Sequence, residues 1–303
     1  MYKEQINVDA STTLTYAGII VHQGSETNNG YTKSGGGTFA LSGDSTYSGV
    51  TTISAGVITI AHAGSLGSTS GATSITSGAA LSISGGITVA EPITVNGTGV
   101  SSGGAIVFTA NDNTYSGAIT LGSTSTIVST GGAQTISATV NGGQALTITA
   151  NGNLVISGAV GGSTDLSSYA VTTTGSASQT FSANVETTGN QTYTAAGGIV
   201  TSGARTFDSS SGTVNFASAL SGNNNVTVTG NADIDGAITD IAVLSISGTS
   251  NVGADITTSG TQTYTGAVTL SADVTLTSSN DVITFSSTIN SDDTARDLTL
   301  APG

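Results

Sequence analysis

Short apolar-polar-apolar triplets recur from one end of the chain to the other. Thr51-Thr52-Ile53, Thr73-Ser74-Ile75, Leu81-Ser82-Ile83, Ile87-Thr88-Val89 and Ile93-Thr94-Val95 open the series. Leu146 to Ile148, Leu154 to Ile156, Val214-Asn215-Phe216, Val226-Thr227-Val228, Val268 to Leu270, Val274 to Leu276 and Val282 to Phe285 carry it onward. Alternation at period two marks a strand with one buried face. No window sustains a period of 3.6 residues, so no helix is predicted. Gly43, Gly49, Gly56 and Gly64 punctuate the stretch Lys33 to Ser68, and Asn141-Gly142 and Asn151-Gly152 mark later turns. Pro92 cannot donate to a strand ladder and belongs in a turn. Ile6 to Val21 and the polar segment Gln23 to Gly30 read as a first coil, and Gly161 to Ser168 as a longer protruding loop.

One unit repeats with recognisable side chains. Tyr16-Ala17-Gly18, Tyr47-Ser48-Gly49, Tyr115-Ser116-Gly117 and Tyr264-Thr265-Gly266 each follow a Thr. Gln134-Thr135-Ile136, Gln179-Thr180-Phe181, Gln191-Thr192-Tyr193 and Arg205-Thr206-Phe207 are degenerate copies that keep the Thr and lose the Gly. Connections this short leave no room for crossover helices, which excludes an α/β sheet. A sandwich would pair the strands antiparallel, whereas stacked coils place like side chains on like. The recurrence favours the second. The expected fold is all-β, a right-handed single-stranded parallel β-helix (β-solenoid), with residues 1–303 as one repeat domain. Roughly 20 to 25 residues per coil gives about 12 to 15 coils.

The stretch from Thr32 to Gly56 resembles the autotransporter-associated β-strand repeat of bacterial passenger domains. Thr32-Lys33, Gly35, Gly37-Thr38, Leu41-Ser42-Gly43, Thr46-Tyr47-Ser48-Gly49, Thr51-Thr52-Ile53 and Ala55-Gly56 fit its pattern, with Phe39 where the pattern has Leu. The rest of the chain is similar to the broader filamentous-haemagglutinin and autotransporter adhesin class. Gly103-Gly104-Ala105-Ile106 and Phe108-Thr109-Ala110-Asn111 resemble tetrads of chlamydial polymorphic membrane proteins. The resemblance implies a secreted or bacterial cell-surface location and binding of host or cell-surface glycans or proteins.

Composition separates this chain from an ordinary globular domain and from a disordered one. Gly is unusually frequent, at 43 of 303 residues, and only 7% are charged. Disordered chains are poor in apolar residues and rich in charge, yet mean hydropathy here is +0.19. A narrow core with an outer surface of Thr, Ser and Asn reconciles the two. The net charge of −14 includes only Lys3, Lys33, Arg205 and Arg296 on the positive side. Phosphate contacts need clustered Lys and Arg, so neither nucleic acid nor an anionic membrane surface is an expected partner. Cys is absent, which removes disulfides and thiolate metal sites. The segment Met1 to Gln5 lacks the apolar region of a signal peptide, no run reaches the ~20 apolar residues of a spanning helix, and Leu298 to Gly303 carries no sorting motif. The export signal is expected elsewhere, and no membrane insertion of this segment is expected.

Candidate chemistry is sparse. Gly99-Val100-Ser101-Ser102-Gly103 fits a nucleophile elbow, but that motif needs a following helix and a triad His. His22 and His62 have no carboxylate at ligand spacing and read as exposed turn residues. Asp233 and Asp235 flank Ile234 and could begin a Ca²⁺ loop, as could Asp292-Asp293, but the downstream Glu of such a loop is missing. Acidic residues are otherwise scattered singly, which argues against polysaccharide hydrolysis. No catalytic residue, cofactor or metal is therefore expected, and the chain is read as a non-enzyme. Tyr16, Tyr47, Tyr115, Tyr193 and Tyr264 could form a sugar-stacking platform, but aromatics that recur with a repeat are more often core or corner residues. Thr51-Thr52 and Thr275-Thr277 read as outward rows of the kind ice-binding solenoids use, although irregular coil lengths argue against that function. The expected function is a structural stalk and adhesion surface. The alternative is a fibre subunit that associates head to tail through open β edges.

Overall fold

The computed structural model describes residues 4–21, 29–279 and 281–302. The chain forms two compact units, Met1–Asn153 and Leu154–Gly303. Each is a β-solenoid of short parallel strands, and together they hold about 13 turns. The stacked-coil fold expected from the triplets is the fold that forms. Among the described residues there is no α-helix; a single 3-10 turn spans Val100–Ser102.

In the first unit, the strands Tyr31–Ser34, Thr51–Ile53, Thr73–Ile75, Ile93–Gly97 and Ile119–Ser129 stack in register. Thr32 lies opposite Thr52, Thr52 opposite Ser74, Ser74 opposite Thr94, and Thr94 opposite Thr120. A second ladder stacks Phe39 on Ile58, Leu81, Ile106, Ile127 and Ile148, none more than 3% exposed. Each such side chain contributes about 1.5–3 kcal/mol by leaving water. A third, shorter ladder places Tyr115 between Val89 and Ile136. A slip of one residue would turn an inward row to solvent, so the triplets fix the register.

The second unit repeats the scheme with larger side chains inside. Val185, Phe207, Val228, Ile246, Tyr264 and Phe285 form one inward column. Tyr193 stacks on Phe216 at 5.6 Å and meets Phe207 edge-on at 5.2 Å. Beside the first column, Thr206, Thr227, Ser245, Thr263 and Thr284 make an outward row of hydroxyls.

Two local expectations change. The Gly161 to Ser168 segment does not protrude: Val160 bridges Val185, Leu166 bridges Thr187, and Leu166 is fully buried. One apolar residue in a polar run was enough to anchor it to the coil. Most of the Gln23 to Gly30 loop, and His22, lie outside the described residues. Pro92 occupies the turn between the strands Thr88–Val89 and Ile93–Gly97.

Close stacking explains the corner glycines. A Cβ on Gly117 would overlap the Glu91 carbonyl of the adjacent coil, and one on Gly49 would overlap the backbone at Asn29 and Gly30. Gly131 has open space around the same position and an ordinary φ. Gly117→Ala should therefore lower unfolding stability by about 1–3 kcal/mol, as overpacking does. Gly131→Ala should be neutral or slightly stabilising. Urea midpoints of the two variants check this.

Candidate functional site: the coil corners and the polar core

The repeated tyrosines face inward with one exception. Tyr47, Tyr115, Tyr193 and Tyr264 are at most 2% exposed. Tyr16 is 41% exposed, because its strand, Thr13–Tyr16, pairs with Thr38–Leu41 on one side and has no described strand on the other. Gly49, Gly117 and Gly266 all lie against a neighbouring coil's backbone, whereas Gly18 faces the ring of Tyr16. The first Thr-Tyr-x-Gly copy is thus not a stacked corner. Thr51, expected in an outward row, is fully buried and shares a 2.6 Å hydrogen bond with the Tyr47 hydroxyl. Thr52 is the residue that faces out.

The more informative corner involves Gln191, in a copy that lost its Gly, and Gln262, which precedes an intact Thr-Tyr-x-Gly copy. Thr187-Thr188-Gly189-Asn190-Gln191-Thr192-Tyr193 and Thr258-Ser259-Gly260-Thr261-Gln262-Thr263-Tyr264 share one buried network. In each, the Thr hydroxyl donates to the Gly carbonyl at 2.6 Å. The Gln amide donates to that Thr at 3.1 and 3.3 Å, and to a carbonyl of an adjacent coil, Asp208 at 2.6 Å or Thr277 at 2.7 Å. The Tyr hydroxyl closes the circuit on the Gln oxygen, at 2.7 and 3.0 Å. Gln134 does related work, donating to the Asn111 and Gly131 carbonyls at 2.7 Å each.

Lys33 solves the same problem differently. Its strand ends at a Gly corner like that of Thr187, but the position matching Gln191 is Gly37, where a Cβ would overlap the Asp9 carbonyl. The Lys33 ammonium, fully buried, reaches over from the preceding strand. It donates to the carbonyls of Gly35 and Gly37 at 2.6 Å and of Ala55, in the next coil, at 2.9 Å. Burial pushes its pKa down. Buried carbonyls left unbonded would each cost free energy, and at these corners a long polar donor satisfies them. Gln immediately before Thr and an aromatic residue was the sequence signal for it.

The candidate chemical groups remain apart. His62 accepts from the Gly64 amide and lies 3.6 Å from Asp44, so a carboxylate does neighbour it, on an exposed surface. Ser101 and Ser102 sit at φ 50° and 61° within the 3-10 turn, and His62 is the one described histidine. Asp233 accepts from the amides of Asn215 at 2.7 Å and Asn251 at 2.8 Å, and Asp235 from Asn215 at 3.0 Å. The oxygens a cation would need are taken by amide donors. Asp292 pairs with Arg296 at 2.8 Å, which holds its carboxyl below the usual range. Among the described residues no three His, Cys, Asp or Glu side chains group as they would around an ion. Burial pushes the Tyr47 hydroxyl up to about 12 and those of Tyr115, Tyr193 and Tyr264 upward as well. No described helix is long and apolar enough to cross a membrane.

Two successive coils stapled by a buried Lys define a stacking repeat. A family model described as the passenger-associated-transport-repeat matches residues 32–60, which span one coil and the first two strands of the next. No curated protein and no solved structure matches the chain. The repeat and the β-solenoid together fit an autotransporter-passenger-like repeat protein. Lys33→Met and Gln191→Leu keep apolar volume but strand buried carbonyls, so each should cost about 1–3 kcal/mol. Arg205→Met, which gives up only bonds to the exposed Ser202 carbonyl, should cost under about 0.5 kcal/mol. Denaturant midpoints of the three variants test the ranking.

Proposed function

We propose that this chain is a non-enzymatic passenger segment at the bacterial cell surface or outside the cell, serving as a structural stalk and adhesion surface. The observation that carries this reading is the passenger-associated-transport-repeat over residues 32–60, folded as one β-solenoid coil stapled by Lys33 to the start of the next. The scattered carboxylates and the amide-occupied Asp233 and Asp235 support a structural role over a catalytic one. The outward rows of Thr and Ser, interrupted by few charges, suit contact with polar neutral partners, glycans or host proteins, better than with nucleic acid.

A second reading is a fibre subunit that adds copies head to tail. It rests on apolar side chains exposed on or next to strands that, among the described residues, pair on one side only. These are Leu14, Tyr16, Ile19 and Val21 beside a cleft of about 490 Å³ in the first unit, and Val282, Ile289 and Leu300 in the second. Open β edges invite further pairing.

The purified chain, applied to a glycan array and to host cells, should show saturable binding that soluble glycan or protein competes away. Binding to neither would contradict adhesion, and light scattering that rises with concentration on the same sample would favour the fibre.

A further inference from the structure

The first unit holds one ionisable group for which the corner network has no use. Glu91 lies between Ala90 and Pro92 in the turn joining the strands Thr88–Val89 and Ile93–Gly97, and its side chain points inward, 3% exposed. Its backbone carbonyl accepts from the Tyr115 hydroxyl at 2.7 Å. Both carboxyl oxygens are buried and, among the described residues, neither has a hydrogen-bond partner. The Thr73 hydroxyl, also buried, is unpartnered as well, and Thr73 sits in register with Thr51.

The groups that face Glu91 are tyrosines. Tyr47 and Tyr115 lie close enough that a charge on Glu91 would raise both of their pKa values. Tyr31 stands behind, its ring edge-on to Tyr47 at 5.4 Å. Among the described residues no cation compensates: the Lys33 ammonium is held by three carbonyls, and His62 faces Asp44 at the surface. An ionised carboxylate without a partner is among the costliest groups to bury, and such a group neutralises instead.

We propose that Glu91 is carried in the core as the neutral carboxylic acid and makes the first unit a pH-sensitive stack, tightest in mild acid and loosened as the pH rises. Burial raises the Glu91 carboxyl to about 8, against the usual 4.5. The folded chain therefore binds one more proton than the unfolded chain between those limits. The stability due to this proton is complete below pH 4.5, declines as the pH rises, and is gone above about 8.

The test compares the full chain with Glu91→Gln, a neutral isostere, by urea midpoints at pH 5 and pH 9. Other carboxylates affect both proteins alike, so the difference between them isolates Glu91. The variant should match the wild type at pH 5 and have the higher midpoint at pH 9. Parallel pH profiles for the two proteins would overturn the proposal. Infrared spectroscopy of the wild type at pH 7 supplies a second readout that needs no variant. The proposal requires a protonated-acid carbonyl band at that pH, which disappears above pH 9. Absence of that band would show Glu91 ionised in the core and refute the assignment.

Discussion

The structure depends on satisfying backbone carbonyls inside a coil too narrow to admit water. Strand interiors solve this by pairing with the coils above and below, but at each corner the ladder breaks and carbonyls turn inward. Buried polar backbone groups must find partners. The Gln of the Thr-Gly-Gln-Thr-Tyr corners and the ammonium of Lys33 provide them. Because each donor also reaches an adjacent coil, local satisfaction and coil stacking become one interaction. Stability in such repeats is a sum of coil and interface terms, and these donors belong to both.

The exchange between Lys and Gln shows how the two ends of the chain meet one requirement with different residues. Where the adjacent coil approaches closely, at Gly37, no side chain fits, and the donor comes from the strand before it. Where there is room, at Gln191 and Gln262, a shorter donor sits in the corner itself and a Tyr hydroxyl completes it. The passenger-type repeat over residues 32–60 and the Gln corners of the second unit are two versions of the same joint.

Much of the fold was legible because period-two alternation states both the strand and its buried face. The triplets at Thr51, Thr73 and Leu81 became strands, with Ile53, Ile75, Leu81 and Ile83 inward as expected. What escaped the sequence was every feature in which a polar residue turns inward. Thr51 and Thr52 are identical residues, and only the coil's phase decides that the first bonds Tyr47 and the second faces solvent. Gln179 and Gln191 looked like parts of decayed copies, since their hydrogen-bond partners come from coils 15 and 17 residues away. Leu166 stood in a polar run and gave no periodic sign of burial, whereas Glu91 falls in phase with the inward Val89, Ile93 and Val95 but its charge disguised the inward position. Tyr16 matched the repeat in sequence but, among the described residues, its strand is paired on one side only, and the ring is exposed.

Register is the quantity on which all of this rests, and the absence of native Cys makes it directly measurable by disulfide trapping. Thr227 and Ser245 lie opposite one another on adjacent coils, both facing outward. At a strand spacing of about 4.8 Å, cysteines there fall within bridging distance. The pair Thr227→Cys with Ser245→Cys should form an intramolecular disulfide under mild oxidation, while Thr227→Cys with Ser247→Cys, two residues out of register, should not. Equal trapping of both pairs, or preference for the second, would contradict the parallel in-register stack.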